Sequence, residues 1–456
     1  MDKVKPQFLL LGCVIAIATA VVSAMSGLPL PMTLSAAITA LVATLWVTEA
    51  LPIAVTSLIP FFAFPAAGVL DYPDAAAALG NHVIILLMGA FMLSKALEKS
   101  GVHRRLAVYM ISATGASSAR RLVLGFMITA AVLSMWISNT ATALMLLPIA
   151  LAIIGAMNSP ALASAILLGI AYAASVGGVG TPIGTPPNII FMSVYQQTTG
   201  TEISFLNWMK TGIPIVIIGI PLMALWLTRK LSTLPALSLP EAGKWAPAEI
   251  RVLSVFGTIA LAWVFRPYWT AWLGMPFIGD STIALAGVVL MCVIPDGNTS
   301  QPGRLLDWKT AETIPWGMLL VFAGGICLAK AFTASGLSDL MGEGLRGLAV
   351  LPLLLLILSL CLVVSFVTEI TSNTATATLL MPILASAAVA IEVDPIILMM
   401  PAAISASCAF MMPVATPTNA IVYGSGKLAI SHMAREGAIL NILMAFVITG
   451  AIMLTR

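Results

Sequence analysis

The chain has 456 residues, of which 60% are hydrophobic and 9% charged, and its mean hydropathy is +1.06. A soluble domain carries about a quarter charged residues, so lipid is the main solvent and a water-soluble globular fold is excluded. The formal charge of +3 comes without a basic run or a basic patch interleaved with aromatics, which argues against nucleic acid as a partner. Cys13, Cys292, Cys327, Cys361 and Cys408 lie in apolar stretches without CxxC spacing and read as buried small hydrophobes. His82, His103 and His432 are too widely spaced to suggest a zinc site.

From the N-terminus, Lys3 and Lys5 precede an apolar run that starts at Phe8. No small-residue cleavage site follows, so segment 1–32 is expected to hold a first membrane helix and not a signal peptide. At roughly 20 apolar residues per crossing, spans are expected at 8–26, 33–49, 52–70, 81–99, 161–195, 208–229, 251–273, 280–295, 311–334, 396–424 and 433–455. That is an all-α membrane protein with about eleven transmembrane helices. Two more apolar segments, 121–158 and 348–392, are too long for one crossing and are interrupted in their middles, so each is expected to form a re-entrant hairpin. The longest polar connection carries Arg229, Lys230, Glu241, Lys244, Glu249 and Arg251. It divides the chain into a first half, 33–230, a cytoplasmic linker, 231–250, and a second half, 251–456.

Lys and Arg placement sets orientation. With the N-terminus inside, sixteen of the twenty-one fall on the cytoplasmic side, and Lys210, Arg266, Lys330, Arg346 and Arg456 remain outside. The expectation is an inner-membrane protein with its N-terminus in the cytoplasm and its C-terminus outside.

Self-comparison finds three blocks that recur in the same order. GAFMLSKALEKSG at 89–101 matches GGICLAKAFTASG at 324–336, SNTATALMLLPI at 138–149 matches SNTATATLLMPI at 372–383, and GTPPNII at 184–190 matches ATPTNAI at 415–421. The offsets are 235, 234 and 231 residues. In the expected topology the two copies point opposite ways, which is an inverted-topology repeat, a construction of many secondary transporters.

The clusters Ser138–Thr142 and Ser372–Thr376 sit midway along apolar segments. Ser, Asn and Thr compete for backbone groups and disfavour helix interiors. A break there frees NH and C=O groups at membrane depth, tolerable only when buried in protein or lining a wet cavity. Helix N-termini that begin after the break offer NH groups and partial positive charge to an anion. Asn side chains and freed carbonyls offer neutral oxygens to a hard cation. A surface turn between two full crossings is the alternative for Ser138–Thr142. In the second pair of blocks, Pro186 and Pro187 stop a helix, Gly184 permits close backbone approach, and Thr185 and Asn188 supply oxygens; the partner residues are Ala415, Thr416, Pro417, Thr418 and Asn419. Matched breaks in two halves point to a transport site. No Arg or Lys is expected near either tip, so an anion bound there needs cations to balance its charge.

Duplicated SNT motifs followed by TPPN-like breaks, with TEALP at 48–52 and PVATPTNAIVYGSG at 413–426, resemble the divalent-anion:sodium symporter (DASS) family over essentially the whole chain. The resemblance implies two opposed hairpins, two discontinuous helices, sodium as the co-transported ion, and a homodimer with a static scaffold and moving transport domains. It implies a first sodium site at Ser134, Ser138, Asn139 and Gly184. A second falls at Thr368, Thr371, Asn373 and Ala415, with Thr371 contributing backbone only. Substrate contacts fall at Asn139, Thr140, Asn373 and Thr374, with Thr185, Thr416 and Pro417 nearby. The implied activity is sodium-coupled uptake of C4 dicarboxylates by an elevator-type cycle. A sodium-independent exchanger and a carrier of citrate or sulfate stand as alternatives.

Glu369, next to the second SNT, reads as a satisfied structural carboxylate, with cation tuning or proton carriage as its other possible uses. Lys95 and Lys330 are repeat mates expected to snorkel at opposite faces. An intramembrane hydrolase is disfavoured because no HExxH occurs and no histidine neighbours Ser138 or Ser372. A channel is disfavoured because no TVGYG filter is present. The hairpin reading predicts that a cysteine placed at position 140 is shielded from an outside thiol reagent in at least one state. Free labelling from outside in every state contradicts it.

Overall fold

The computed structural model describes residues 5–114, 118–157, 159–231, 243–299, 302–345 and 351–455. Lys3, Glu241, Arg346 and Arg456, and most of the linker 231–250, lie outside the described residues. The described chain is helical, with one isolated bridge between Pro295 and Arg304. Among the described residues nine helices are long and apolar enough to cross a membrane. A backbone in hydrocarbon must satisfy its own hydrogen bonds, and a helix does so within the segment.

Four expected spans are interrupted. The run 52–70 forms Ile53–Thr56 and Ile59–Ala66. Ser57 at the joint donates to Ile53 O (2.7 Å) and accepts from the Trp46 indole (3.0 Å), and Pro60 then sits in the first turn of the next helix. The run 251–273 stops at Val264 and resumes as Arg266–Leu273, because Pro267 has no NH to give to Trp263 O and its ring would clash with that carbonyl in a continuous helix. Arg266 there binds Glu202 (2.9 Å) and Asp280 (2.7 Å), and Trp272 and Phe277 project outward, as aromatics do at a membrane interface. The runs 161–195 and 396–424 break in the middle. Pro160–Gly177 and a short turn precede Pro186–Thr199, and Ile396–Ala406 precedes Pro417–Tyr423. Cys13 is exposed and Cys292 half-buried; Cys327, Cys361 and Cys408 are buried as expected.

The two interrupted segments fold as helical hairpins. Ala119–Ser134 and Asn139–Met157 form the first, Leu353–Val367 and Asn373–Ala390 the second. Each turn is capped alike: Ser138 Oγ accepts from Ala141 N and Ser372 Oγ from Ala375 N, both at 3.1 Å.

The helices sort into two groups by what they touch. Leu30–Thr48, the short helices that follow it, His82–Ser100, Pro247–Val264, Asp280–Val293 and Trp316–Ser335 pack mainly on one another, and Pro6–Met25 rests on Leu30–Thr48. The hairpins, the broken helices, Phe205–Thr228 and Ile430–Thr455 form the other group. Two amphipathic helices missing from the sequence reading, Val102–Thr114 and Leu337–Leu345, run from one group to the other. Each follows a left-handed glycine, Gly101 (φ 75°) or Gly336 (φ 77°), where only glycine turns the chain without strain.

The matching segments 89–101 and 324–336 lie on antiparallel helices. Lys99, at the C-terminal end of His82–Ser100, donates to Arg304 O (2.9 Å) and Asp307 (2.5 Å), just before Trp316–Ser335. The Lys99 hydrogen bond is the main reason the Asp307 carboxyl falls to about 2. At the other end Lys330 donates to Asp74 O (3.0 Å), just before His82.

Packing within the hairpin group is backbone to backbone. A Cβ on Gly177 would lie 2.3 Å from Ala131 Cα, and one on Gly437 2.3 Å from Phe410 O. Neither clash can be relieved by a rotamer change. Gly177→Val is therefore expected to destabilise the solubilised protein by about 3 kcal/mol. Gly155→Ala, at a helical glycine with nothing within 4 Å, is expected to be neutral or stabilising by a few tenths of a kcal/mol, up to about 1. Thermal melting of both variants checks this.

Candidate functional site

Both hairpin tips and both helix breaks line one cavity of about 460 Å³, within the usual range for small-molecule sites of about 300–1,000 Å³. From the first half come Ser138, Asn139, Thr140, Gly184, Thr185 and Pro186; from the second come Ser372, Asn373, Thr374, Ala415, Thr416 and Pro417. The two tips therefore meet at one cavity, with Ser138 exposed and Asn139 and Thr140 half-buried. Ser134, Thr368 and Thr371 do not line the cavity. Ser134 and Thr368 are fully buried behind it.

The two halves repeat one local geometry. Ser134 Oγ donates to Asn139 Oδ1, and Thr368 Oγ1 donates to Asn373 Oδ1 at 2.9 Å. Thr368 Oγ1 also lies 3.0 Å from Ala406 O. Each pair sets a hydroxyl and an amide oxygen side by side, so a cation bound there would take both oxygens once the hydroxyl hydrogen turns away. Such neutral oxygens suit a hard cation. Thr371 Oγ1 bonds Val367 O (2.9 Å) and Thr376 Oγ1 (2.6 Å), which occupies its side chain inside the hairpin. Thr185 Oγ1 lies 3.3 Å from Ser407 Oγ, and Thr416 Oγ1 lies 2.9 Å from Thr418 Oγ1.

Helices that start at Asn139, Pro186, Asn373 and Pro417 direct their N-termini to the cavity. The two long hairpin helices each carry roughly half a positive charge at that end. Proline at the first position of the other two removes only an NH that has no helical partner.

Three residues differ from the sequence reading. Lys95 lines the cavity, although it lies 44 positions from the first tip. It is paired with Glu98 at 2.7 Å, so it brings no net charge. Lys5 shares an adjoining cavity with Glu49, Ser372 and Thr374 and donates to Thr48 O at 3.0 Å. Asn188 presents no oxygen to the cavity; its amide nitrogen bonds Gly178 O and Thr181 O from behind. A basic residue one helix away leaves no trace in local spacing, which is why Lys95 escapes a motif search. Trp136, also on the lining, stacks on Phe205 (6.1 Å) and meets Phe256 edge-on (5.4 Å).

Glu369 is buried and accepts hydrogen bonds from Phe410 N (2.6 Å), Met411 N (2.9 Å), Met412 N (3.0 Å) and Asn441 Nδ2 (2.8 Å). It is a structural carboxylate that gathers the amides of the second break. Its repeat mate at offset 234 is Met135, so the first half has no counterpart. There Thr181 Oγ1 donates instead to Met135 O (2.6 Å).

Residues 43–397 match the model of the CitMHS family, described as citrate transporters. The sodium-dependent dicarboxylate transporter SdcS of Staphylococcus saprophyticus is 41% identical over 435 residues, covering 90% of this chain and 84% of the relative. SdcS of Staphylococcus aureus is 40% identical over the same shares. Among solved structures, the YdaH transporter of Alcanivorax borkumensis superposes with a TM-score of 0.61 at 16% identity, covering 84% of this chain and 88% of that one. MtrF of Neisseria gonorrhoeae superposes with a TM-score of 0.59 at 13% identity, covering 93% and 94%. Those two likenesses establish the helical fold.

Removing the Glu369 carboxylate strands three backbone amides in the interior. At about 1–3 kcal/mol for each unsatisfied donor, Glu369→Ala is expected to cost roughly 3 kcal/mol or more. Glu369→Gln, which keeps one acceptor, is expected to cost less. Thermal melting in detergent gives the order; equal melting of Glu369→Ala and the wild type contradicts the assignment.

Proposed function

The chain belongs to the citrate transporter family, among the divalent-anion:sodium symporters, and on that premise we propose that it takes up C4 dicarboxylates such as succinate, malate and fumarate together with sodium. The observation that carries this reading is the meeting of both hairpin tips and both breaks at one cavity that is rich in neutral oxygens and helix N-termini, with its one lysine already paired. Among the described residues that line this cavity no cationic side chain is left unpaired, Lys5 lying in the adjoining one, and an uncompensated buried charge is very costly. Sodium at Ser134, Ser138, Asn139 and Gly184, and at Thr368, Thr371, Asn373 and Ala415, supplies the balance. The reading is a transporter and not an enzyme: the relatives and the structural neighbours are transporters.

The substrate reading follows from the paired tips. Asn139 with Thr140 takes one carboxylate and Asn373 with Thr374 the other, with Thr185, Thr416 and Pro417 shaping the walls. A two-ended anion uses both tips, which a compact tetrahedral sulfate does not. The antiparallel run of segments 89–101 and 324–336 and the shared hydrogen bonds of the two half-sites support an inverted repeat of 33–230 and 251–456. The division into two helix groups joined by Val102–Thr114 and Leu337–Leu345 supports an elevator-type cycle, in which the hairpin group moves against the other group of a homodimer. Lys95, Glu98 and Thr313 also line the cavity. The Lys and Arg bias supports a cytoplasmic N-terminus and an outside C-terminus.

Uptake of labelled succinate into proteoliposomes is expected to require a sodium gradient, with potassium ineffective. Malate and fumarate are expected to compete. Sodium-independent uptake promotes the exchanger. Competition by citrate or sulfate with none by malate overturns the C4 assignment. A hydrogen bond to a charged group is worth about 1.5–3 kcal/mol, so Thr374→Val is expected to weaken apparent succinate affinity by roughly ten- to a hundredfold, read from the concentration dependence of uptake.

A further inference from the structure

Behind each hairpin tip lies a fully buried asparagine that does not reach the cavity. Asn188 Nδ2 donates to Gly178 O (3.0 Å) and Thr181 O (2.8 Å). Asn419 Nδ2 donates to Ala409 O (2.9 Å) and Met412 O (3.0 Å). One offset of 231 residues relates all three pairs: 188 with 419, 178 with 409 and 181 with 412. Both groups that flank each amide nitrogen are carbonyls, which only accept, so the network fixes which end of each side chain is nitrogen. Both Oδ1 atoms are buried without a hydrogen-bond partner. An amide that uses both donors while its acceptor stands idle is held in place by what it pins.

What it pins is the unwound backbone of the break. Carbonyls there lack the regular α-helical partner; Thr181 O and Met412 O accept only a turn bond, from Gly184 N (3.4 Å) and Ala415 N (3.2 Å), besides the asparagine. Gly178 lies directly against the oxygens expected at the first sodium site: a Cβ on it would sit 2.8 Å from Gly184 O and 3.1 Å from Asn139 Oδ1. In the second half Met412 O also accepts from Ala415 N (3.2 Å), so the pinned carbonyl is bonded directly to a residue expected at the second site. Sodium held by neutral oxygens gains little from each one, and its affinity depends on their being fixed in number and direction.

We propose that Asn188 and Asn419 are positioning residues for sodium: each sets the carbonyls of its break from behind, and neither touches the ion or the anion. This rests on the sodium-coupled reading above. It assigns the asparagine of each proline-containing block to cation affinity, a role separate from that of the Asn139 and Asn373 tips.

The test is succinate uptake as a function of sodium for the reconstituted wild type, Asn188→Leu and Asn419→Leu. Leucine is close in size and lacks the donors. Loss of a group that orients metal ligands typically costs about 10–100-fold in affinity, so half-saturating sodium is expected to rise at least about tenfold in each variant. The succinate KM measured at saturating sodium is expected to stay within about threefold of the wild type, because the anion contacts are intact. Lithium, which binds the same oxygens at shorter range, is expected to lose less than sodium, so the ratio between the two narrows. If either leucine variant fails to fold, the matching serine variant, Asn188→Ser or Asn419→Ser, which keeps one donor, is expected to raise half-saturating sodium above the wild-type value with the succinate KM at saturating sodium unchanged. Folded variants whose maximal rate drops while half-saturating sodium stays within twofold of the wild type overturn the proposal and leave the asparagines purely structural. A wild type that transports equally without sodium overturns the coupling itself, a result distinct from loss of the asparagine effect.

Discussion

A polypeptide that unwinds inside a membrane must find partners for every peptide group it releases, because hydrocarbon offers none. Among the described residues this chain unwinds at two hairpin turns and two breaks that line one cavity, and much of its central architecture can be traced to how those groups are met. At the hairpin turns, Ser138 and Ser372 cap the helices that follow. At the breaks, Asn188 and Asn419 hold two carbonyls apiece. Glu369 collects three amides in the second half, while Thr181 ties the first break to Met135. The groups these partners leave over face a single cavity. The same economy explains the site's chemistry: a cavity walled by spare backbone and short neutral side chains favours ions that come as a balanced set.

Close glycine packing occurs within both helix groups, as at Gly324 on Ser57 in the one and Gly177 in the other. Inside the hairpin group, glycines bring backbones into contact, as at Gly177 on Ala131 and Gly437 on Phe410. Such contacts suit a body that keeps its shape. At the border between groups, larger side chains meet. Trp136 at the first tip lies on Phe205 and against Phe256, and Phe205 in turn stacks on Trp263 at 5.1 Å. Broad aromatic faces tolerate displacement better than interlocked backbones do. The two amphipathic helices that bridge the groups start from glycines in left-handed conformation, placing a turn of the chain at the start of each bridge.

The sequence was most informative where constraint was doubled. Ser138–Thr142 and Ser372–Thr376 announced themselves because polar residues in mid-span are costly and because the pattern occurs twice. The structure puts both clusters on one cavity. The span count was less secure, since composition alone cannot separate a continuous crossing from one that Pro186 or Pro417 divides. The amphipathic helices escaped notice because their charged residues, such as Arg104, Arg105, Asp339 and Glu343, made them look like loops. Lys95 escaped for a different reason: its place at the cavity depends on how His82–Ser100 leans, which no local pattern encodes. Glu369 was legible as a structural group, but its partners lie some 40 to 70 residues away.

The halves also exchange parts. Pro186–Thr199 of the first half packs on Asn373–Ala390 of the second, and Pro417–Tyr423 packs on Asn139–Met157. During synthesis, then, the first hairpin enters the bilayer long before its cover has been translated. Until residues 417–423 arrive, the helix that starts at Asn139 lacks a partner on which it packs in the finished fold. The order of translation thus makes this packing a late event, since residues 417–423 follow the end of the first hairpin at Met157 by about 260 positions.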